Sequence, residues 1–268
     1  LLVLARIGCA SADELYEQTR AIPWQEHIGP DATIAVFAHG TNRELRNTQF
    51  SAMRVKDAIC DELRAQTGTR PEVSKHRPDV QINVSIHAKK ATVAIDLAGE
   101  PLHKRGYRQE GENVQAPLKE ALAAGVLLMS PWARVVEGLK AGTLEPQDCV
   151  LIDPFCGGGT LLIEGAMMAA DMAPGILRDY WGFSGWRQFD PEVFASLLAE
   201  ADARLEAGLA RMPRIVGSDI DPRAIEIARA QAGRVGLAGF IDLAVANCAD
   251  IEATLEGFGV ARAPQGCV

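Results

Sequence analysis

The 268-residue sequence is short of several features that identify membrane and secreted proteins. No apolar run reaches the roughly 18 residues that a membrane-spanning helix needs. The start of the chain does not show the basic, apolar and small-residue order of a secretory signal. There is also no internal repeat and no low-complexity tract. The length suits two globular domains, and we expect a cytoplasmic protein with no membrane partner.

The sequence also lacks the spacing of a metal site or a disulfide framework. Its six cysteines form no CxxC pair, and its five histidines stand at no metal-ligand spacing. Scattered cysteines of this kind are mostly reduced, half-buried thiols. We therefore expect neither a bound metal nor disulfide bonds.

The chain as a whole has no excess of basic residues, because its net charge is −8. Taken alone, this value argues against a nucleic-acid partner. The charges are unevenly placed, however. Residues 40–110 carry 13 Lys and Arg against 9 Asp and Glu, whereas residues 151–268 carry 9 against 16. The first half, with a net charge of +4, remains a modest candidate for contact with nucleic acid.

The hydrophobic periodicity of the first half predicts an α+β domain. A β-rich run covers residues 33–38, and apolar residues at helical spacing predict a helix from Arg46 to Gln66. Alternating runs at residues 80–87 and 92–97 predict two strands joined by a hairpin turn. Residues 101–116 contain Gly and mixed charges with few apolar residues, so we interpret them as a linker.

The second half alternates strand and helix, which is the doubly wound α/β plan. Strands are predicted at residues 149–153, 215–219 and 240–245. Helices are predicted at residues 118–129, 160–170, 194–209 and 222–235. The boundaries that follow are 1–100 for the first domain, 101–116 for the linker and 117–268 for the second domain.

The strongest motif is the loop Asp153-Pro154-Phe155-Cys156-Gly157-Gly158-Gly159-Thr160, between a predicted strand and a predicted helix. Its glycines let the backbone turn sharply and approach a ligand, and the helix N-terminus suits a carboxylate or phosphate. Asp153 can bind an ammonium group. A purely structural turn is one alternative. A nucleotide phosphate loop is disfavoured because no Lys follows these glycines. A nicotinamide site is disfavoured because this sequence lacks both the third Gly of that motif and a nearby acid.

A second acidic residue follows the next predicted strand, in Gly217-Ser218-Asp219-Ile220-Asp221-Pro222. A carboxylate at this position can accept hydrogen bonds from both hydroxyls of a ribose. Asp221 precedes Pro222, so we interpret it as a helix cap and Asp219 as the ribose ligand. The glycine loop and the two strand-end acids form a specific pair of motifs.

These residues resemble a known family. The stretches DPFCGGGTLLIEGAMMAADMAPG, RDYWGFSGW and GSDIDPRAIEIARA look like those of bacterial 23S ribosomal RNA guanine-N2 methyltransferases of the large-subunit methyltransferase L type. In the first half, NTQFSAMRVKDAICDEL and LHKRGYR resemble the THUMP domain and linker of the same proteins. The resemblance implies an α+β THUMP domain that grips RNA, followed by a Rossmann-like class I methyltransferase domain.

The resemblance also implies S-adenosyl-L-methionine as cofactor and ribosomal RNA, of the large subunit or its assembly intermediate, as partner. Asp153, Gly157 and Gly159 would face the methionine end of the cofactor, and Asp219 the ribose. In the resembled family, an acidic residue follows the third strand. In this sequence Asn247 stands in its place, with Asp250 nearby, so either residue would face the adenine. The full set of expected cofactor contacts is Pro117, Asp153, Pro154, Phe155, Cys156, Gly157, Gly159, Thr160, Asp219, Ile220, Asn247 and Asp250.

The family's catalytic Asn-Pro-Pro-Tyr or Phe motif is expected beyond Val268, after a fourth strand that begins near Gln265. We therefore expect no catalytic residue within this sequence, and a fragment that binds better than it catalyses. A transfer-RNA methyltransferase of the same family and a non-catalytic RNA-binding relative remain alternatives.

Cationic residues in two places are candidates for RNA contact. Near the first helix, side chains at its start can hold phosphates, which position RNA without reading its sequence. In the predicted linker, a Tyr between Arg residues can stack on a base. The candidates are Arg46, Asn47, Arg54 and Lys56 in the first place, and Lys104, Arg105, Tyr107 and Arg108 in the second. The aromatic residues of WGFSGW can also stack on bases, but a structural role is at least as well supported.

Overall fold

The computed structural model describes residues 1–109, 111–112 and 116–260. Parts of the predicted linker and the expected start of a fourth strand lie outside these residues. The chain divides into two compact units. Unit 1 comprises Leu1–Pro101 and Asp179–Pro191, and unit 2 comprises Leu102–Arg178 and Glu192–Val268.

Unit 1 is a four-stranded sheet with two helices packed on it. Its elements are β1 (Leu2–Gly8), α1 (Ala12–Arg20), β2 (Ile34–His39), α2 (Thr48–Thr67), β3 (Val80–His87) and β4 (Lys90–Ile95). The strand order is β1-β4-β3-β2, in which only the β2–β3 pair is parallel.

The alternation predicted for β3 has a physical basis in this sheet. Its residues Val80, Ile82, Val84 and Ile86 are buried, while the intervening residues face outward. Helix α2 begins at an Asn47 cap and ends at Gly68, which has a φ of +77°. A left-handed C-terminal glycine of this kind is a common helix stop.

Unit 2 contains a parallel sheet in the order β5-β6-β7. Its elements are α3 (Glu120–Met129), α4 (Trp132–Ala141), β5 (Val150–Asp153), α5 (Thr160–Ala169), α6 (Pro191–Leu209), β6 (Arg214–Asp219), α7 (Pro222–Val235), β7 (Asp242–Val245) and α8 (Ile251–Gly257). The strand–helix alternation is the predicted Rossmann-like α/β plan, and it follows an α+β unit, so the predicted fold class is confirmed.

Each unit has its own apolar core. Helix α5 is buried over most of its length, because its sequence TLLIEGAMMA contains a single charged residue, Glu164. Within the described residues, no single helix combines the length and apolar composition of a membrane span. The pair α3 and α4 meets that test together but is bent by 76°.

Candidate functional site

The loop between β5 and α5 adopts a backbone conformation that favours glycine. Gly157 and Gly159 have φ values of +51° and +76°. The Gly159 N–H donates to the Cys156 carbonyl at 2.8 Å, and Gly159 is the residue before α5. A Cβ on Gly159 would lie 3.0 Å from Ala228 Cβ on α7. A Cβ on Gly157 would meet no described atom within 4 Å, so open space lies beside the loop.

Asp219, the last residue of β6, is hydrogen-bonded directly to this loop. Its Oδ2 accepts the Gly157 N–H at 2.9 Å, and its Oδ1 accepts the Asp221 N–H at 2.9 Å. The Cys156 N–H donates to the Ser218 carbonyl at 3.0 Å. Each carboxylate oxygen has a second lone pair. Asp219 therefore organises the loop and can still accept two hydrogen bonds from a ligand.

Asp153 brings a second carboxylate to the same edge of the sheet. Burial raises the pKa of its carboxyl, a hydrogen bond from the Phe155 N–H at 3.1 Å opposes that rise, and the charge of Asp219 adds to it. A half-buried carboxylate beside a like charge gains from a cation. The edge is therefore suited to an ammonium group.

Cys156 lies in the loop, where its surroundings disfavour the thiolate form. Burial raises the pKa of its thiol to about 12, and the charges of Asp153 and Asp219 contribute to the rise. The thiol is neutral at physiological pH, and only a thiolate is strongly nucleophilic. Its position in the loop serves packing.

Two apolar side chains near the carboxylates are exposed. Phe155 is 72% exposed and Ile220 is 71% exposed. Exposed apolar side chains next to paired polar groups are typical of ligand-binding sites. Together with the two carboxylates, they give this edge of the sheet both apolar and acidic groups for contact with a ligand.

Asn247 and Asp250 follow β7, the neighbour of β6. The Ala246 N–H donates to the Asp219 carbonyl at 3.1 Å, which brings this segment beside the site. Asn247 uses its Oδ1 to accept the Ala249 N–H at 3.0 Å, and both predicted residues are exposed. Among the described residues, no group of three or more His, Cys, Asp or Glu could hold a metal ion.

Residues 105–109, named the strap here, belong to unit 2 although they were predicted as part of a linker. Tyr107 is fully buried in the core of that unit, and its hydroxyl donates to Glu164 Oε1 at 3.1 Å. Arg234 of α7 donates to the Tyr107 carbonyl at 2.8 Å. Gly106, with a φ of +107°, lies so close to Leu177 that a Cβ would be 2.9 Å from it.

The prediction that Tyr107 stacks on an RNA base is therefore wrong, because its ring is inside the core. The flanking arginines are also occupied. Arg105 pairs with the buried Glu164 at 3.2 Å, and Arg108 pairs with the buried Glu120 at 3.3 Å. Both guanidinium groups neutralise buried carboxylates and so have a structural role, and RNA contact by Arg105 and Arg108 stays a prediction. Lys104 is exposed and stays a prediction.

Residues 105–261 match the family described as RMKL-like, methyltransferase domain, and residues 9–96 match the THUMP domain. The chain belongs to the RMKL-like methyltransferase family. The match to the methyltransferase domain begins at Arg105, so it includes the strap.

Relatives of this chain carry the name ribosomal RNA large subunit methyltransferase K/L. The protein of Marinomonas sp. is 43% identical over 270 residues, covering 99% of this chain and 36% of that protein. The protein of Methylococcus capsulatus is 44% identical over 251 residues, covering 94% of this chain and 32% of that protein. The chain thus spans about a third of the length of the curated relatives it matches.

Solved structures share the fold of this chain. A predicted N6-adenine-specific DNA methylase from Listeria monocytogenes has a TM-score of 0.76 and 29% identity, covering 92% of this chain and 60% of that one. SMU.472, solved in complex with SAH, has a TM-score of 0.75 and 28% identity, covering 92% of this chain and 61% of that one.

The predicted RNA contacts of unit 1 cluster at the start of α2, but most have internal partners. Asn47 caps α2 by accepting the Phe50 N–H at 3.0 Å. Arg54 pairs with Asp13 at 2.7 Å and lies over the Tyr16 ring, and Lys56 pairs with Asp57 at 2.7 Å. Arg46 is exposed, and its Nε donates to the Arg43 carbonyl. RNA contact by these four residues stays a prediction.

The WGFSGW stretch belongs to unit 1. Asp179 forms a bidentate pair with Arg77 at 2.8 and 2.9 Å, and the Tyr180 hydroxyl donates to the Pro78 carbonyl at 2.6 Å. Trp186 stacks on His27 with ring centroids 6.2 Å apart. The Trp186 contact supports a structural role for that residue, and base stacking by Trp181 and Phe183 stays a prediction.

Sequence reasoning missed Glu120 and Glu164, the carboxylates that anchor the strap. One signal was available for Glu164, because a lone charge in an otherwise apolar helix needs a buried partner. The partner, 59 residues away in Arg105, could not be identified without the fold.

Proposed function

We propose that this chain binds S-adenosyl-L-methionine at the carboxyl ends of β5 and β6 and serves methylation of large-subunit ribosomal RNA. The observation that carries the proposal is the 2.9 Å hydrogen bond from Gly157 N–H to Asp219 Oδ2. It joins the glycine loop and the second acid into one site beside Asp153. Membership of a methyltransferase family and relatives named for ribosomal RNA support the reaction class.

The residues present fit the cofactor. Asp153 offers a half-buried carboxylate to the ammonium group, and the N-terminus of α5 offers N–H groups to the carboxylate. Asp219 retains two lone pairs for the ribose hydroxyls. Exposed Ile220 would give the adenine ring an apolar contact, and Asn247 or Asp250 would hold its polar edge. When bound, the cofactor supplies an activated methyl group.

The acceptor that we propose is the N2 exocyclic amine of one guanine. The resemblance of the motifs to guanine-N2 methyltransferases supports this choice. The Asn-Pro-Pro motif expected after Val268 would hold that amine, and orientation of a weak nucleophile can supply several kcal/mol of the barrier. Residues 1–100 would hold the RNA. Residues 117–268 would bind the cofactor.

The proposal is tested in two steps. Calorimetry with S-adenosylhomocysteine asks whether the 268-residue chain binds the cofactor product. Methyl transfer is then measured on the full-length gene product, because the relatives are about three times as long. Ribosomal RNA and transfer RNA from a strain lacking the gene are treated with labelled cofactor and digested to nucleosides. N2-methylguanosine in 23S RNA is the expected product. Label in transfer RNA or on adenine contradicts the proposed substrate, and no cofactor binding contradicts the site.

A further inference from the structure

Arg108 joins three parts of unit 2 that lie next to the proposed cofactor site. Its Nη2 donates to Thr160 Oγ1 at 2.5 Å and to the Leu118 carbonyl at 2.6 Å. Its Nε lies 3.3 Å from Glu120 Oε1. Thr160 is the first residue of α5, directly after Gly159, and Glu120 is the first residue of α3. One guanidinium therefore connects the end of the glycine loop to the start of α3.

The contacts of Arg108 are buried and difficult to replace. The side chain of Glu120 is 5% exposed, and its second oxygen has no partner among the described residues. Thr160 is also buried. Removing the guanidinium would leave a buried carboxylate without its counter-charge. A lysine can restore the charge but not the planar fork that reaches Thr160, Leu118 and Glu120 together.

We propose that Arg108 is a positioning residue, which holds the α5 N-terminus and the start of α3 in the geometry needed to bind the methionine end of the cofactor. The inference rests on the proposed cofactor site. Arg108 acts through Thr160 and the adjacent glycine loop. Its effect therefore falls on the carboxylate and ammonium of the ligand, rather than on the adenosine that contacts the end of β6.

Arg105 provides a matched control within the strap. Its guanidinium pairs with Glu164, in the middle of α5, and donates to the Leu102 carbonyl at 3.1 Å. Both arginines neutralise a buried carboxylate, but only Arg108 touches the first residue of α5. Loss of Arg105 should therefore reduce stability without altering the loop.

The experiment compares wild type, Arg108→Gln, Arg108→Lys and Arg105→Gln by calorimetry, at a temperature where all are folded by circular dichroism. Two ligands are used: S-adenosylhomocysteine, and 5′-methylthioadenosine, which lacks the amino-acid end. Arg108→Gln should weaken S-adenosylhomocysteine binding about tenfold or more, as for the loss of a charged hydrogen-bond network. Its affinity for methylthioadenosine should stay at the wild-type value.

Arg108→Lys should fold even if the Gln variant does not, and it should show a smaller loss for the same ligand. Arg105→Gln should melt at a lower temperature with both affinities unchanged. Equal losses for both ligands in the Arg108 variants would mean a general structural effect and overturn the inference. Unchanged S-adenosylhomocysteine affinity would overturn it as well. If the wild type binds neither ligand, the proposed cofactor site itself fails.

Discussion

At the residue scale, the site depends on Asp219 performing two tasks with one carboxylate. Its oxygens accept the Gly157 and Asp221 N–H groups and so fix the loop in place. In the proposed complex, the remaining lone pairs bind the ribose. A substitution at this residue should therefore affect both the ligand contact and the loop that surrounds it.

Asp219→Ala should weaken S-adenosylhomocysteine binding by about 1–3 kcal/mol, the cost of a lost charged hydrogen-bond partner. Asp221→Ala is the matched control, because Asp221 Oδ1 accepts the Arg223 N–H and caps α7. That variant should lose about 1 kcal/mol of stability and keep its affinity. Calorimetry and thermal melting measure the two effects. Equal affinity of Asp219→Ala and wild type would remove Asp219 from the site.

The raised pKa of Asp153 predicts how cofactor binding depends on pH. Burial disfavours the charged carboxylate, so this residue takes up a proton at a higher pH than an ordinary Asp. Only the ionised form pairs with an ammonium group. Affinity for S-adenosylhomocysteine should therefore fall as the pH is lowered from 7.5 towards 5. In Asp153→Asn, affinity should be weaker at pH 7.5 and change much less over the same range. A parallel fall in both proteins would assign the pH dependence to another group.

The residues of the proposed cofactor site could be located from sequence because their signals are local. A glycine run between a strand and a helix, and an acid at the end of a strand, fix both conformation and position. Tyr107 had no such signal. A Tyr between two Arg residues suits both an RNA surface and a buried network, and the deciding partner, Glu164, is 57 residues away.

At the element scale, the segment Asp179–Pro191 is held on unit 1 by close backbone approach. A Cβ on Gly185 would lie 2.4–2.5 Å from the Cβ, Cα and carbonyl oxygen of Asp79. A Cβ on Gly182 would lie 2.3 Å from the Asp96 carbonyl oxygen. The two glycines of WGFSGW are therefore required by packing, which a motif with a purely RNA-stacking role would not demand.

Gly185→Ala should destabilise unit 1 by about 1–3 kcal/mol, the usual cost of overpacking. Gly233→Ala in α7 is a suitable control, because its Cβ would meet no described atom within 4 Å. That change should be neutral or stabilising by up to about 1 kcal/mol, since Ala favours helix over Gly. Chemical denaturation followed by tryptophan fluorescence reports the difference. A Gly185→Ala variant as stable as wild type would contradict the packing role.

Several elements were predicted from their local pattern, whereas β1, α1 and α4 were not predicted. The predicted helix from Arg46 to Gln66 corresponds to α2, and the alternating run from Val80 to His87 corresponds to β3. Strand β1 was missed because apolar and polar residues do not alternate cleanly across Leu2–Gly8, and its register with β4 shifts between Val3 and Ala5. A local sequence pattern does not reveal such a register shift, because the shift depends on pairing with a distant strand.

At the scale of the whole molecule, the order of residues in the chain does not follow the division into units. Unit 1 takes Asp179–Pro191 from the middle of the second half, and unit 2 takes the strap from the predicted linker. Sequence patterns locate composition changes along the chain, but these exchanges depend on contacts between distant residues such as Arg77 and Asp179. The fold class of each unit was therefore predictable from sequence, but the unit to which each of these two segments belongs was not.

Because each unit has its own core, ligand binding should stabilise one of them selectively. The proposed cofactor contacts all lie in unit 2. S-adenosylhomocysteine at about 100 times its measured Kd should add about 2.7 kcal/mol to the stability of the folded state that binds it. In hydrogen exchange measured by mass spectrometry, peptides covering β5, α5 and β6 should gain protection, whereas peptides covering β3 and β4 should not. The Asp219→Ala variant at the same ligand concentration is the control and should gain less. Equal gains in both units would show that the ligand stabilises the chain as one cooperative body and would contradict the selective stabilisation of unit 2.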